Sequence, residues 1–176
     1  MGLGDIHISE LCVNYIIDNF ESGITILELG SGWGSTFVLS EYEGFNMIAI
    51  ENQPEWQDKY NESAKYINVN HKFYDDDFTV TSGFDDKGWY DPDELLSQLP
   101  NKNDYDLILI DGPGGWLGRS GFLKYLDVFN IDVPIIVDDI QRDQELLLLK
   151  KLSEKLQRKY IILDDEHTGV LLGKSN

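Results

Sequence analysis

The feature that most constrains the fold is a glycine-rich turn that follows a short apolar run. The apolar run is Ile24–Leu29, and the turn reads Glu28-Leu-Gly30-Ser-Gly32-Trp-Gly34. An apolar pattern with helical spacing comes next, at Phe37, Val38, Leu39 and Tyr42. A buried strand, a glycine turn and a helix in this order bring bare backbone N–H groups against a ligand. The sequence therefore predicts a ligand-binding unit of strand, turn and helix.

A second acidic residue stands where the next apolar run ends. The run is Met47–Ile50, and Glu51 closes it. In an open parallel sheet, a carboxylate at this strand end lies beside the first turn and suits the hydroxyl groups of a ribose. The two features together predict a ligand that contains a nucleoside.

The size and composition of the chain are typical of a globular protein. The 176 residues are 41% hydrophobic and 12% aromatic, which is enough to bury a core. We expect a single domain over 1–176 that begins with a helical segment at 1–22. No apolar run is long enough to span a bilayer, 1–23 lack the features of an export signal, and the single Cys12 cannot form an internal disulfide. These observations favour a cytoplasmic protein with no membrane partner.

The strong negative charge argues against one class of partner. The chain has 32 acidic and 14 basic residues, which gives a formal net charge of −18. Because like charges repel, such a surface disfavours the phosphate backbone of DNA or RNA. We therefore expect no nucleic acid partner and interpret the acidity as a source of solubility.

Strand and helix patterns alternate along the chain. Strands are predicted at Ile24–Leu29, Asn46–Ile50, Ile67–Phe73, Tyr105–Ile110, Pro134–Val137, Tyr160–Leu163 and Gly169–Leu172. Helices are predicted at about Ser9–Phe20, from the glycine turn to Glu43, and at Pro54–Tyr66, Pro92–Leu99, Gly121–Phe129 and Asp143–Lys159. Repeated strand–helix units form parallel sheets with helices on both faces. The pattern predicts an α/β fold with a doubly wound, mostly parallel, Rossmann-like sheet, and one antiparallel strand because a tight turn joins the last two strands.

Acidic side chains follow several of the predicted strands, at the edge where doubly wound sheets bind their ligands. They are Glu28, Glu51, Asp111, Asp138 and Asp139. The last three offer oxygen ligands from adjacent strand ends, which suits Mg²⁺ or another hard divalent cation. The alternative is that Asp138 or Asp139 caps the following helix or binds amides of the loop. The sequence leaves both interpretations open.

The glycine turn departs from the dinucleotide-binding fingerprint. That fingerprint needs glycine or alanine where this chain has Ser35, and the third glycine comes one residue early, at Gly34. Glu28 would repel a pyrophosphate, whereas it would attract a sulfonium ligand that carries an amino group. The turn therefore favours a sulfonium nucleoside over a dinucleotide.

These motifs resemble those of the class I S-adenosylmethionine-dependent methyltransferases. The letters Glu28-x-Gly30-x-Gly32-x-Gly34 match the first motif of that family. Glu51 matches the acid that binds the ribose hydroxyls, and Asp111 matches the acid after the fourth strand. The resemblance covers essentially the whole chain. It implies a seven-stranded sheet in the order 3-2-1-4-5-7-6 and S-adenosylmethionine as cofactor.

The resemblance also implies residue roles. The expected cofactor-binding residues are those of the turn, the acids before and beyond it, and residues that flank the adenine: Glu28, Gly30, Ser31, Gly32, Trp33, Gly34, Glu51, Asn52, Asp77 and Phe78. Methyl transfer needs an aligned nucleophile and, for a hydroxyl, removal of its proton. Asp111 is the expected catalytic residue for these tasks.

The acceptor is expected to be a hydroxyl of a small molecule or a sugar. The phrases Ile110–Pro113 and Val137–Asp139 resemble those of sugar-associated O-methyltransferases. Catechol-type O-methyltransferases are similar in their acids after strands four and five. That similarity implies a divalent cation at Asp111, Asp138 and Asp139 that binds the acceptor oxygen and lowers its pKa. Candidate acceptor contacts, with loop packing or an ion pair as the plainer alternatives, are Trp89, Tyr90, Pro113 and Arg119.

Two other classes of function stay open. One is a NAD-dependent oxidoreductase on a similar sheet, although Glu28, Ser35 and the lack of a clear hydride-transfer pair count against it. The other is a binding protein that kept the cofactor fold and lost catalysis, although the intact turn and acids count against it. Because no lid domain is predicted, we expect a small acceptor or a homodimer whose second copy completes the site.

Overall fold

A computed structural model describes residues 8–41, 43–59 and 62–174 of the chain. The strands are β1 (Thr25–Leu29), β2 (Asn46–Glu51), β3 (Lys65–Asn68), β4 (His71–Phe73), β5 (Gly88–Tyr90), β6 (Leu107–Ile110), β7 (Ile135–Val137), β8 (Tyr160–Ile162) and β9 (Gly169–Leu171). The helices are α1 (Glu10–Asn19), α2 (Val38–Glu41), α3 (Pro54–Lys59), α4 (Pro92–Gln98), α5 (Gly121–Lys124) and α6 (Asp143–Leu156). A π-helical turn at Trp33–Phe37 precedes α2, and a 3-10 turn at Leu126–Val128 follows α5. Positions 1–7 of the predicted amino-terminal segment and Tyr42 lie outside the described residues.

Seven strands form one sheet in the order β3-β2-β1-β6-β7-β9-β8. Numbered without β4 and β5, this is the order 3-2-1-4-5-7-6, so the predicted α/β sheet is confirmed. Strand β9 runs antiparallel to β7 and β8, whereas the other pairs of this sheet are parallel. Leu29 lies opposite Ile50 and Ile110, and Ile110 lies opposite Val137. The carboxyl ends of β1, β2, β6 and β7 therefore meet at one edge.

The central strands are buried on both faces, which explains their nearly continuous apolar sequences. Ile26 and Leu109 belong to a core cluster that also holds Cys12 of α1. Leu27 belongs to a second cluster with Leu149 of α6. Successive residues of a strand thus pack against helices on opposite faces of the sheet. Burial of each such side chain contributes about 1.5–3 kcal/mol, and it fixes the register that aligns the strand ends.

The predicted third strand, Ile67–Phe73, is two strands in different sheets. Strand β3 ends at Asn68, and β4 pairs antiparallel with β5 in a separate two-stranded sheet. The chain turns away at Asn70, whose backbone N–H and Nδ2 donate to Glu94 of α4 at 2.7 and 3.0 Å. Because these bonds satisfy the backbone outside the main sheet, β3 cannot continue. The prediction of one long strand was wrong for this reason.

Several predicted helices are shorter in the structure. Tyr66, where one predicted helix was expected to end, lies in β3, and the described part of that helix is Pro54–Lys59. The helix after the glycine turn begins as the π-helical turn, and Glu43, its predicted end, lies in a turn before Gly44, whose φ is +73°. Helix α6 ends at Leu156 because Gln157 adopts a left-handed conformation. Among the described residues, no helix has the length and apolar character needed to cross a membrane.

Candidate functional site

A cleft of about 350 Å³ lies at the shared carboxyl edge of the central strands. Its volume falls in the range of small-molecule sites. Many residues that the sequence predicted for the site line this cleft: Gly30, Ser31, Gly32, Glu51, Asn52, Asp111, Pro113, Arg119, Asp138 and Asp139. The structure thus brings the turn and four strand-end acids together, while the binding roles of these residues stay predictions.

Three backbone N–H groups of the glycine turn are used within the protein. Gly30 donates to the Ile50 carbonyl at 2.8 Å. Ser31 donates to Glu51 Oε2 at 2.9 Å, and Gly32 donates to Thr36 Oγ1 at 3.0 Å. The prediction that the turn presents bare N–H groups to a ligand was therefore wrong for Gly30, Ser31 and Gly32. These three donors already have partners and do not form an anion-binding nest.

Two glycines let the turn touch the loop after β6. Gly30 has a φ of +87°, and a Cβ built on it would lie 2.8 Å from the N and Cα of Gly112. A Cβ built on Gly112 would lie 2.6 Å from the Cα of Gly30. The two backbones are therefore in direct contact. This contact closes the bottom of the cleft between the ends of β1 and β6.

Glu51 ties the turn to the end of β2. Its Oε2 accepts from the backbone N–H and the hydroxyl of Ser31 at 2.9 and 3.0 Å. Its Oε1 accepts from the N–H groups of Asn52 and Gln53, both at 2.7 Å. A carboxylate has about four acceptor positions, and these four donors occupy them. A ribose hydroxyl at Glu51 therefore has to displace a donor, and the Ser31 hydroxyl is the one that can rotate away.

Glu28 lies beneath the turn and does not line the cleft. Its carboxyl group is fully buried, and its Oε2 accepts from Thr36 Oγ1 at 2.5 Å. Because Thr36 in turn accepts from Gly32, Glu28 holds the turn through Thr36. Burial raises the pKa of Glu28 well above its usual range. The predicted direct contact between Glu28 and a cofactor is corrected to support of the turn.

Four other predicted cofactor residues also lie outside the cleft lining. Trp33 and Gly34 belong to the π-helical turn, where the Trp33 ring stacks on Phe37 with 6.2 Å between centroids. The Phe78 ring is buried 4.5 Å from the Tyr74 centroid, and Asp77 is exposed. The loop after β4, which contains Asp77 and Phe78, is polar but packs onto the core through the rings of Tyr74 and Phe78. The predicted contacts of these four residues with the cofactor stay predictions.

Trp89 and Tyr90 are core residues rather than a wall of the acceptor pocket. Both side chains are fully buried in β5. Trp89 stacks on Tyr125 with 5.4 Å between ring centroids, and the Tyr90 hydroxyl donates to the Ile50 carbonyl at 3.2 Å. A ring without exposed surface cannot contact an acceptor in an open cleft. The predicted acceptor role of this pair was therefore wrong.

Arg119 joins the loop after β6 to the end of β7. Its Nη2 donates to Asp139 Oδ2 at 2.9 Å, to Asp111 Oδ1 at 3.3 Å and to the Asp111 carbonyl. Its Nη1 donates to the Asp138 carbonyl at 3.0 Å, and its Nε donates to the Pro113 carbonyl at 3.3 Å. The side chain is only 4% exposed. The ion-pair interpretation of Arg119 thus describes its contacts, although it also lines the cleft.

The carboxyl groups around Arg119 have shifted proton affinities. Burial raises the pKa of Asp111 to about 6, with Arg119 opposing the shift and Asp139 adding to it. Burial raises the pKa of Asp138 to about 8, and the charges of Asp111 and Asp139 add to that shift. Burial alone would lower the pKa of Arg119, but the surrounding carboxylates raise it. Arg119 therefore stays charged, and the two neighbouring carboxyl groups of Asp111 and Asp138 have pKa values close to neutral pH.

The three predicted metal ligands lie together but already hold a cation. One carboxylate oxygen each of Asp111, Asp138 and Asp139 lies within 4.8 Å of the others. Arg119 Nη2 lies between two of these residues, and Asp138 Oδ1 accepts from Thr168 Oγ1 at 3.2 Å. This arrangement does not fit a divalent ion. Capping of the following helix does not hold either, because α6 begins at Asp143 and neither carboxylate caps it, while the other alternative, binding of loop amides, stays a prediction.

A chain of hydrogen bonds links the start of the chain to Asp138. Ser9 caps α1 by accepting from the N–H of Cys12 at 3.0 Å. Ser9 Oγ lies 3.3 Å from Thr168 Oγ1, and Thr168 donates to Asp138 Oδ1. The first helix is therefore bonded, through one threonine, to a carboxylate of the cleft.

Comparison with known proteins gives matches among solved structures. No protein-family model matches the chain, and no curated protein matches its sequence. Precorrin-6y C5,15-methyltransferase from Geobacter metallireducens is 14% identical, with a TM-score of 0.57 over 94% of this chain and 87% of that one. A TehB-like SAM-dependent methyltransferase from Corynebacterium glutamicum is 13% identical, with a TM-score of 0.55 over 97% and 89%. A B. subtilis tRNA methyltransferase is 13% identical, with a TM-score of 0.55 over 98% and 68%.

The chain has a methyltransferase fold. At these identities the likeness extends to the fold and not to the substrate. The order of the strands and the position of the cleft at their carboxyl ends are therefore features of a fold that S-adenosylmethionine-dependent enzymes use. The choice of acceptor has to be argued from the residues of this chain.

The motifs of the methyltransferase fold do not point to four further residues that line the cleft. They are Gln53, Trp56, Trp116 and Arg142. Trp116 follows the glycines of the loop after β6 and is 53% exposed, and that position in a short open loop was a signal for it. Arg142 lies three residues after Asp139, and its Nη1 pairs with Asp139 Oδ2 at 2.9 Å. The exposed indole and this guanidinium add an aromatic and a basic group to the cleft.

Proposed function

We propose that this chain transfers a methyl group from S-adenosylmethionine to a hydroxyl of a small molecule or a sugar, in the cytoplasm. One observation carries the proposal. The cleft combines the carboxylates of Glu51, Asp111 and Asp139 with a glycine turn in which the N–H groups of Gly30, Ser31 and Gly32 are already bonded. The site therefore offers acceptors of hydrogen bonds and negative charge to a cofactor.

This charge pattern favours a cationic cofactor over a dinucleotide. S-adenosylmethionine carries a sulfonium and an ammonium group, both of which a carboxylate attracts. A pyrophosphate needs free N–H donors at the turn, and here those of Gly30, Ser31 and Gly32 have other partners. When bound, the cofactor supplies an electrophilic methyl group. We assign Asn52, which lines the cleft beside Glu51, to the nucleoside end.

Asp111 is the residue we assign to the acceptor hydroxyl. Its side chain is 22% exposed at the cleft, and Arg119 holds its Oδ1. A hydroxyl that attacks in line has to lose its proton, and a fixed carboxylate can accept it. Pro113 and Trp116 also line the cleft and would contact the body of the acceptor. The acidic lining and the net charge of −18 argue against an RNA acceptor.

The test compares ligand binding with turnover. We expect S-adenosylhomocysteine to bind in calorimetry and raise the melting temperature, and NAD⁺ to do neither. Asp111→Asn should keep this binding and lose transfer of labelled methyl to a panel of hydroxylated sugars and phenols. Glu154→Gln is the control, because Glu154 is 69% exposed on α6, away from the cleft. Stabilisation by NAD⁺ alone would contradict the proposal, and equal loss of binding and turnover in Asp111→Asn would make Asp111 a cofactor residue.

A further inference from the structure

Arg119 is held as a fixed part of the site rather than as a surface charge. It precedes α5 and extends across the ends of β6 and β7, where its three nitrogens contact three backbone carbonyls. Asp111 and Asp139 are bonded to the same Nη2. Because the guanidinium is planar and its donors point in fixed directions, these contacts determine its position.

The place that Arg119 occupies is the place a divalent ion would need. An octahedral Mg²⁺ bonds oxygen at about 2.1 Å, which sets neighbouring ligand oxygens roughly 3–4 Å apart. One carboxylate oxygen from each of Asp111, Asp138 and Asp139 lies within 4.8 Å of the others, so the spacing alone would admit an ion, but Arg119 Nη2 lies 2.9 Å from Asp139 Oδ2 and 3.3 Å from Asp111 Oδ1. An ion that bonded Asp111 and Asp139 together would overlap the guanidinium and be repelled by its charge.

A guanidinium, unlike a bound metal ion, is a permanent part of the protein. Its pKa keeps it charged at every physiological pH, and it is covalently attached to the chain. A bound Mg²⁺ exchanges with solvent and is removed by chelators. Asp111 therefore has a partner of constant charge at the cleft, whatever the metal concentration.

We propose that Arg119 is a built-in cation that takes the place of a divalent ion among Asp111, Asp138 and Asp139 and fixes the Asp111 carboxylate at the cleft. This inference rests on the proposed function only in its consequence that methyl transfer needs no metal. The positioning itself concerns the protein without cofactor or acceptor. Arg119 is thus a positioning residue that acts through Asp111.

The test measures uptake of Mn²⁺ by electron paramagnetic resonance on the protein without cofactor. Arg119→Met should bind one Mn²⁺ with an affinity at least about tenfold higher than that of the wild type. At concentrations where this variant is loaded, the wild type should therefore take up no ion. Arg142→Met is the matched control, because it removes a positive charge from the same cluster and leaves Arg119 between Asp111 and Asp139. It should behave like the wild type.

Several results would overturn the inference. One is stoichiometric Mn²⁺ binding by the wild type that Asp139→Asn abolishes. Another is equal uptake by the Arg142→Met and Arg119→Met proteins, and a third is a folded Arg119→Met protein that takes up none. If Arg119→Met does not fold, the inference is tested by Mn²⁺ titration of the wild type and of Arg119→Lys. Neither protein should take up Mn²⁺, because the lysine ammonium should still exclude the ion, and uptake by either one would overturn the inference. Binding of S-adenosylhomocysteine is measured separately, so failure of the proposed function is distinguished from failure of this inference.

Discussion

Replacement of Gly112 by alanine tests whether the contact between the two loops holds the cleft together. The new Cβ would lie 2.6 Å from Gly30 Cα and 2.8 Å from Gly30 N, while ordinary contacts begin at 3.4 Å. The Tyr90 hydroxyl would lie 2.8 Å from the same Cβ, so the new methyl group cannot move away from Gly30 in that direction. Since the neighbours on one side are backbone atoms, the two loops have to separate by about 0.8 Å to restore contact distance.

The cost of such overpacking is about 1–3 kcal/mol. For a chain of this size, each kcal/mol lowers the melting temperature by about 2–4 °C. We therefore expect Gly112→Ala to melt roughly 2–12 °C below the wild type in differential scanning calorimetry. Binding of S-adenosylhomocysteine should weaken as well, because the displaced loops form the bottom of the cleft.

Gly32→Ala is the matched control for stability. Gly32 is also in the turn, but its backbone is extended, and a Cβ there would lie 3.5 Å from Ser35 Oγ with no closer neighbour. Its melting temperature should stay within about 2 °C of the wild type. Equal melting temperatures for Gly112→Ala and Gly32→Ala would refute the argument from close backbone contact.

Two further predictions concern the acids of the turn. Because burial raises the folded-state pKa of Glu28 above its unfolded value of about 4.3, the folded protein loses stability as pH rises from that value toward the raised pKa. The melting temperature of Glu28→Gln minus that of the wild type should therefore increase with pH, and a pH-independent difference would contradict this. Ser31→Ala removes the hydroxyl that a ribose has to displace from Glu51, so S-adenosylhomocysteine should bind about 2- to 10-fold more tightly in calorimetry. Weaker binding would show that the Ser31 hydroxyl contacts the ligand itself.

The parts of the site that lie at strand ends could be predicted from the sequence. Asp111, Asp138 and Asp139 follow apolar runs directly, and parallel strands bring such residues to one edge whatever the loops do. The sheet order followed from the same alternation together with the resemblance. These predictions depend on the periodicity of apolar residues and on residues that are close together along the chain. Both can be read from a single sequence.

The contacts of individual side chains could not be predicted in the same way. Trp89 and Tyr90 are in a polar stretch, and only the pairing of β4 with β5 carries them into the core. Whether Glu28 faces a ligand or supports the turn depends on the π-helical geometry that brings Thr36 beneath Gly32. Arg119 becomes central because of carbonyls from two loops that are separated along the chain. Such long-range geometry leaves no local pattern in a sequence.

The link from Ser9 through Thr168 to Asp138 has a consequence for how the protein is made. These contacts join positions that are 159 and 30 residues apart in the chain. Contacts of such long sequence separation require that distant segments of the backbone have already met. The amino-terminal helix and the segment that leads into the last strand both have to be docked before this carboxylate acquires its environment. Cofactor binding would thus report on completion of folding, since a chain still missing its last strand would lack the finished cleft.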